Sequence, residues 1–283
     1  MVNPFPNVYV VGAARAGTAA MCTFLKQHPE IHFSIIKEPH YFADDLMAQP
    51  HTVHNKEDYL SLFSDKPFNA EGSVWYLISE NAAQNIKKAR PDARIVILLR
   101  RPWEQIQSVH GLYLRTNNED QTDLATAIKL CQARAKGESL PANSYFHPGL
   151  QYLNNASYYQ QVKRFIDVFG EQVKVIAFDD FIADNSKIMN EVFEFIGASK
   201  CDDIEYDKSK STAKLRGQAI RQLKNLPEHL RGKLHPNQVK VHETKDHSVL
   251  TPELKLELMD YFKQDVAATG ELIGQNLAGL WYK

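Results

Sequence analysis

Short apolar runs alternate with amphipathic segments along most of this chain. Three runs of buried-strand type predict strands at residues 8–11, 94–99 and 173–178. Helical periodicity and capping signals predict helices at residues 18–28, 55–63, 79–89, 124–135, 157–169, 187–196 and 251–273, and from Pro102 onward. Alternation of strands and helices favours parallel pairing. The pattern therefore predicts an α/β fold, with a P-loop-containing parallel β-sheet flanked by helices in a single domain.

The first predicted strand runs directly into a loop bounded by two glycines. This loop, Gly12-Ala-Ala-Arg-Ala-Gly17, is followed at once by Thr18 and a helix. Amides at a helix N-terminus lack intrahelical partners and the helix dipole is positive there, so the turn is predicted to bind a phosphate. The alternative is that the glycines only permit a tight turn.

The spacing of this loop resembles G-x-x-x-x-G-K-[ST], but the lysine that would reach the β- and γ-phosphates is missing. Thr18 follows Gly17 directly, and the cation is Arg15, inside the loop. This arrangement argues against a triphosphate. It favours a ligand in which Arg15 contacts a group attached to a single bound phosphate.

Residues 31–42 are predicted to be extended, because the residue before Pro39 is disfavoured in a helix. Alternate side chains of an extended chain point the same way, so Glu38 and His40 would face one cleft. The alternative is a surface carboxylate beside an ordinary half-buried histidine.

Basic residues follow the second predicted strand, where the ligands of open α/β sheets collect. Arg100 comes directly after that strand, and Pro102 suits the first turn of a helix. Ser108 lies two turns after Arg100, so both side chains can contact one bound group. Residues 116–155 are mostly polar and are predicted to form a variable, acceptor-facing insert.

Composition limits the classes of ligand. The 283 residues are 43% hydrophobic, enough for a substantial core, and the formal net charge of -1 predicts no general attraction to nucleic acid. An anionic ligand must therefore meet local basic groups. Residues 206–221 are one basic segment, which includes Lys214 and Arg216, and are either a loop that closes over phosphate or a solvated basic surface.

The chain contains no run of about 18 apolar residues and no basic N-terminal segment followed by an apolar one, which predicts neither a membrane span nor a signal peptide. Cys22, Cys131 and Cys201 are odd in number and widely spaced, which favours a reducing, cytoplasmic compartment. No spacing typical of a zinc site is present, and no feature indicates an oligomeric state.

The chain contains three characteristic segments in this order: GAARAGT, KEPHYF and RIVILLRRPWEQIQS. Together they resemble segments of sulfotransferases that use 3′-phosphoadenosine 5′-phosphosulfate (PAPS), especially bacterial and glycan-modifying members. The resemblance is strongest over residues 6–115 and continues through 157–197. It implies one sulfotransferase domain over residues 1–283. The implied activity moves a sulfuryl group from PAPS to a hydroxyl or amine of a glycan or another small molecule, leaving adenosine 3′,5′-bisphosphate (PAP).

The resemblance also implies roles for particular residues. Residues 12–19 would form the 5′-phosphosulfate loop, with binding positions Ala14, Arg15, Ala16, Gly17, Thr18 and Ala19. Arg15 would lie near the bridging oxygen. Arg100 and Ser108, within the strand and helix at 94–115, would hold the 3′-phosphate. Glu38 would be the general base with His40 beside it, and the scheme requires no metal.

Two features of the sequence depart from the pattern of the glycan-modifying sulfotransferases. The chain has Glu71-Gly72-Ser73-Val74 where that branch often carries Glu-Lys-Thr-Pro, so a substrate-side lysine is absent. A cysteine-bridged cofactor loop near the C-terminus has no counterpart, and Lys214 and Arg216 are predicted to substitute for it. The alternatives are a P-loop kinase or nucleotide hydrolase, which would bind ATP with magnesium, and a catalytically silent module, which would bind PAP without forming product.

Overall fold

In the computed structural model, which describes residues 3–46, 52–207 and 248–283, five strands form one parallel sheet. The strands are β1 (Val8–Gly12), β2 (Ile31–Phe33), β3 (Phe68–Gly72), β4 (Arg94–Leu99) and β5 (Val173–Ala177). Their order across the sheet is β2-β3-β1-β4-β5, and each neighbouring pair is parallel. The predicted α/β fold and parallel sheet are confirmed.

The described helices are, in chain order, α1 (Thr18–Leu25), α2 (Lys56–Leu60), α3 (Ala82–Ala89), α4 (Pro102–Thr116), α5 (Leu124–Lys129), α6 (Cys131–Ala135), α7 (Tyr152–Asn155), α8 (Tyr158–Phe169), α9 (Phe178–Ala183), α10 (Asn185–Ile196), α11 (Pro252–Leu272) and α12 (Leu277–Trp281). None of them combines the length and apolar surface that crossing a membrane requires. Asp184 and Thr251 cap α10 and α11 with their side chains, which explains where these helices begin.

The described residues divide into two compact units. The first comprises residues 3–46, 52–99 and 164–207 and contains the whole sheet, with α1 packed on β1, β2 and β3. The second comprises residues 100–163 and 248–283 and is helical. The central strands of the first unit are almost wholly apolar and buried, so their burial supplies its core.

Strand β3 was not predicted, and its composition explains why. Its sequence, FNAEG, has neither an apolar run nor a regular alternation, and its buried end carries the charged Glu71. The strand forms between β1 and β2 although its pattern does not favour one, and three hydroxyl groups donate to the Glu71 carboxylate inside the protein. The predicted helix at 124–135 is also divided, into α5 and α6, with Leu130 between them.

Buried polar groups organise part of the insert that was predicted to be mostly irregular. The Arg134 guanidinium donates to both carboxylate oxygens of Glu119 at 2.6 and 2.7 Å, and the Tyr152 hydroxyl donates to the same carboxylate at 2.9 Å. The Asn118 side-chain oxygen accepts the amides of Tyr145 and Phe146. Glu119 thus connects helices α6 and α7, and the neighbouring Asn118 holds part of the loop between them.

Arg134→Met is expected to destabilise the protein by about 3–5 kcal/mol, because it leaves the buried Glu119 charge without its partner. The two side chains are 1% and 0% exposed. The matched control is Lys200→Met at the pair with Asp202, whose side chains are 69% and 81% exposed, and it should cost less than about 1 kcal/mol. Urea unfolding at neutral pH measures both changes. Similar losses for the two variants would contradict a structural role for the buried pair.

Candidate functional site

The loop after β1 is shaped by two positions where a side chain would not fit. Gly12 has φ 152°, and a Cβ there would lie 2.7 Å from the Leu77 Cβ. Gly17 has φ 89°, and its Cβ would lie 2.9 Å from the Phe178 ring. Glycine is therefore required at both ends of the loop by backbone conformation and by the close approach of neighbouring residues.

The loop leads into α1 with its backbone amides at the helix start. The Gly17 carbonyl accepts the amides of Ala20 and Met21 at 2.9 and 3.1 Å. The amides of Thr18 and Ala19 belong to the first turn, where the helix itself offers no carbonyl partner. Arg15 has a left-handed backbone (φ 63°) and an exposed side chain. The arrangement fits a single phosphate held by main-chain donors with a cation beside it.

Glu38 and His40 lie close together, but not on extended chain. Both have left-handed backbones, with φ 58° and 50°, on either side of Pro39. The prediction of extended structure is wrong here, because hydrogen bonds from distant residues fix the segment: the Ser73 hydroxyl accepts the His40 amide, and the Tyr76 hydroxyl accepts the Phe42 amide. The His40 Nε2 and a Glu38 carboxylate oxygen are 3.6 Å apart.

The environment of Glu38 favours its charged form. Burial by itself would raise the pKa of the Glu38 carboxyl. His40 and the Lys37 ammonium, which lies 3.3 Å from the carboxylate, lower the pKa by more, so that it falls to about 2. The Glu38 side chain is 26% exposed. His40 is buried, and its ring nitrogens have no hydrogen-bond partner among the described residues. Glu38 is therefore an accessible carboxylate, ionised at neutral pH, with the buried His40 ring beside it.

Glu71 is connected to this pair through the Ser73 hydroxyl, and in the sequence it stands out only as part of the departure from Glu-Lys-Thr-Pro. Its side chain is fully buried and accepts hydroxyl hydrogens from Tyr59 at 2.6 Å, Tyr76 at 2.8 Å and Ser73 at 2.6 Å. Burial raises the pKa of Glu71 above its usual value, although the three hydroxyl groups oppose the shift. The spacing Glu71-x-Ser73-x-x-Tyr76 was a visible signal, but the contribution of Tyr59 required the fold.

Arg100 and Ser108 belong to the second unit. Arg100 precedes α4, and its Nε and Nη2 atoms each lie 3.1 Å from one oxygen of Glu104. Glu104 also accepts from Arg101 at 2.9 Å; burial raises the pKa of Glu104, but the two guanidinium groups lower it overall. Ser108 lies one turn after Glu104. The role of Glu104 in holding the Arg100 side chain was missed, although its i+4 spacing indicated it.

Lys214 and Arg216 lie outside the described residues. Within residues 3–46, 52–207 and 248–283, no group of three or more His, Cys, Asp or Glu side chains is arranged to hold a metal ion. Cys22, Cys131 and Cys201 are free thiols, and burial raises the pKa of Cys22 to about 12, so this thiol is not a ready nucleophile.

Comparison with known proteins gives a consistent result. A family model described as a sulfotransferase domain matches residues 5–270. Carbohydrate sulfotransferase 15 of Mus musculus is 24% identical over 251 residues, covering 68% of this chain and 43% of that protein. Heparan sulfate glucosamine 3-O-sulfotransferase 6 of Mus musculus is 24% identical over 206 residues, covering 69% of this chain and 53% of that protein. The chain thus spans about half the length of these relatives.

Solved structures show the same fold. A sulfotransferase from Alicyclobacillus acidocaldarius matches with a TM-score of 0.77 and 26% identity over 99% of each chain. Mouse sulfotransferase SULT7A1, complexed with PAP, matches with a TM-score of 0.50 and 13% identity over 92% of this chain and 84% of that one, a likeness of fold alone.

Gly17→Ala is expected to destabilise the protein more than the control Gly197→Ala. Both glycines have left-handed backbones, with φ 89° and 84°, but only at Gly17 does a neighbour, Phe178, lie where the Cβ would be. Backbone strain of about 1–2 kcal/mol applies to both positions, and overpacking adds about 1–3 kcal/mol at Gly17 alone. Urea unfolding measures the difference, and Phe178→Ala should remove part of it. Equal losses at the two glycines would contradict the close approach.

Proposed function

Because the chain belongs to the sulfotransferase family, we propose that it transfers the sulfuryl group of PAPS to a hydroxyl or amine of an acceptor and releases PAP. The observation that carries the proposal is a cradle for one phosphate, without a P-loop lysine, in the same unit as an accessible carboxylate. Sulfuryl transfer needs alignment, neutralisation of charge on the leaving phosphate and removal of a proton from the acceptor. Each need has a candidate group.

The cradle is the proposed site of the 5′-phosphosulfate. Thr18 and the amides of residues 16–19 would hold the phosphate, with Ala14 and Gly17 shaping the loop around it. Arg15 would stabilise the oxygen on which charge accumulates as the sulfur–oxygen bond breaks. Its guanidinium stays charged, so it acts electrostatically rather than as a proton donor. Groups in such positions contribute about 10²- to 10³-fold to turnover.

Arg100 and Ser108 are the proposed site of the 3′-phosphate. The planar guanidinium of Arg100 matches a phosphate, and Glu104 already limits the orientations open to that side chain. On binding, the phosphate would share or replace the contact with Glu104. Lys214 and Arg216 remain predicted contributors to closure over the nucleotide.

Glu38 is the proposed general base. The acceptor oxygen or nitrogen attacks sulfur, the bond from sulfur to the 5′-phosphate oxygen breaks, and the acceptor proton passes to Glu38. Such a base contributes about 10²- to 10⁴-fold. A carboxylate with a pKa of about 2 is a weak base, so it serves best when the acceptor proton becomes acidic late in the transfer. His40 would support the carboxylate from its buried side.

Glycans are the proposed acceptor class, because two relatives carry carbohydrate and heparan sulfate in their names. At Gly72, the position of the substrate-side lysine, a Cβ would lie 2.5 Å from the Cys22 sulfur, so this chain has no space for a side chain there. We therefore propose that the acceptor is a glycan and that cationic groups at other positions of this chain bind it.

A cytoplasmic location stays a prediction based on the cysteine pattern.

The direct test is incubation of the purified protein with sulfur-labelled PAPS and a panel of glycans, lipids, phenols and amines. Labelled product and stoichiometric PAP support the proposal, and a labelled glycan supports the acceptor class. PAP binding without any labelled product would favour the silent module. Magnesium-dependent ATP hydrolysis would favour the P-loop kinase or hydrolase.

Arg100→Ala is expected to weaken PAP binding by about 10-fold or more while changing adenosine 5′-monophosphate binding little, because only PAP carries the 3′-phosphate. Arg101→Ala is the matched control, because it removes the other guanidinium that pairs with Glu104 and keeps Arg100, the one proposed to bind the 3′-phosphate. Isothermal titration calorimetry measures all affinities. Equal losses for the two nucleotides would reject the 3′-phosphate role.

Glu38→Gln is expected to lower turnover by about 10²-fold or more with PAP affinity nearly unchanged. The ratio of wild-type to variant kcat/KM should stay constant between pH 5 and 8. The reason is that Glu38, with a pKa near 2, is fully ionised across this range, and its activity is lost only as pH falls toward that value. A ratio that collapses below pH 7 would show that Glu38 titrates much higher, and wild-type turnover in the variant would remove it from the mechanism.

A further inference from the structure

The carboxyl group of Glu71 is a buried acidic group that the proposed transfer does not use. It lies at the penultimate position of β3, has no solvent exposure and makes three hydrogen bonds with hydroxyl groups. Moving a carboxylate out of water costs several kcal/mol, and an apolar residue of similar volume is often as stable. The arrangement of its partners points to a function beyond stability.

Two of the three hydroxyl groups also accept a hydrogen bond from a backbone amide in the segment that follows Glu38. The Ser73 hydroxyl donates to one oxygen of Glu71 and accepts the His40 amide at 3.1 Å. The Tyr76 hydroxyl donates to the other oxygen and accepts the Phe42 amide at 3.2 Å. Each hydroxyl has one hydrogen, so its donation to Glu71 leaves a lone pair available for the amide. Each of these two pairs of hydrogen bonds is called a relay below. Both relays begin at the Glu71 carboxylate, and they end at the backbone amides of His40 and Phe42.

The segment held by these relays needs such support. Glu38 and His40 both have left-handed backbones, which are strained for residues other than glycine. Without the relays, the His40 and Phe42 amides would be buried without partners, and the segment could gain by relaxing toward the extended backbone that its sequence favours. That relaxation would change the present positions of the Glu38 carboxylate and the His40 ring, which lie 3.6 Å apart.

The third hydroxyl gives an internal comparison. Tyr59 donates to the same carboxylate at 2.6 Å. Its ring stacks on Tyr41 at 4.3 Å between centroids, and among the described residues its hydroxyl accepts no backbone amide. The Tyr59 hydroxyl thus donates to Glu71, whereas the Ser73 and Tyr76 hydroxyls each donate to Glu71 and also accept a backbone amide.

We propose that Glu71 is a positioning residue that, through Ser73 and Tyr76, holds the backbone of residues 38–42 so that Glu38 and His40 face the acceptor together. This inference rests on the proposed function, in which Glu38 takes the acceptor proton. The relays reach residues 40 and 42 and do not involve the loop between Gly12 and Gly17. Their loss affects the proton-transfer step and leaves nucleotide binding intact.

The test compares Ser73→Ala with Tyr59→Phe, each of which removes one hydroxyl from Glu71. Ser73→Ala also removes the acceptor of the His40 amide, so kcat should fall about 10- to 100-fold, the size of effect that small misplacements produce. Tyr59→Phe should change kcat less than about threefold. Both variants should bind PAP within about twofold of the wild type. Ser73→Thr keeps a hydroxyl and should restore most of the turnover.

Hydrogen exchange of the peptide containing residues 37–43 gives a readout that does not depend on activity. The His40 amide should exchange faster in Ser73→Ala than in the wild type or Tyr59→Phe. Glu71→Gln is the second variant, because its NH₂ group cannot accept one of the two relays, and it should show the same faster exchange. Thermal unfolding verifies that each variant is folded.

The outcomes separate the two proposals. Unchanged exchange in Ser73→Ala and Glu71→Gln would overturn the positioning role, as would equal losses of turnover in Ser73→Ala and Tyr59→Phe. Weakened PAP binding in step with turnover would also overturn it, because the effect would then be general. A wild-type protein that forms no sulfated product would reject sulfuryl transfer, while the exchange comparison would still decide whether Glu71 holds the segment.

Discussion

The turn between β1 and α1 depends on the close approach of neighbouring residues to its two glycines. Leu77 and Phe178 occupy the space in which a Cβ at Gly12 or Gly17 would lie, so only glycine fits at either end of the loop. The end of β1 is held in line with β4 by the hydrogen bond from the Ala13 amide to the Leu98 carbonyl. The first turn of α1 is thereby presented at the carboxyl ends of the central strands, where open α/β sheets bind their ligands.

Two carboxylates near one histidine have opposite environments. Glu38 is partly exposed and lies beside Lys37 and His40, which lower its pKa, whereas burial raises the pKa of Glu71. Environments that separate the pKa values of neighbouring acids commonly assign them different tasks. Here Glu38 is ionised and accessible to an acceptor, and the buried Glu71 is hydrogen-bonded to the hydroxyl groups that hold the backbone of residues 40 and 42.

Local patterns were sufficient for the parts of the fold that depend on neighbouring residues. The apolar runs of β1 and β4 and the loop between β1 and α1 could be predicted because burial and turn geometry are visible in a few consecutive residues. The left-handed backbones at Glu38 and His40 could not, because Ser73 and Tyr76, more than 30 positions away, fix them. For the same reason β3 was missed: its mixed sequence does not favour a strand, and the strands that pair with it and the Tyr59 hydroxyl that contacts Glu71 come from elsewhere in the chain.

A crystal structure of the protein with adenosine 3′,5′-bisphosphate would show where the nucleotide binds. We expect the 5′-phosphate on the amides of Thr18 and Ala19, with the Arg15 side chain turned toward the oxygen that carried the sulfuryl group. A nucleotide bound with its 5′-phosphate away from this turn would exclude the proposed phosphate site.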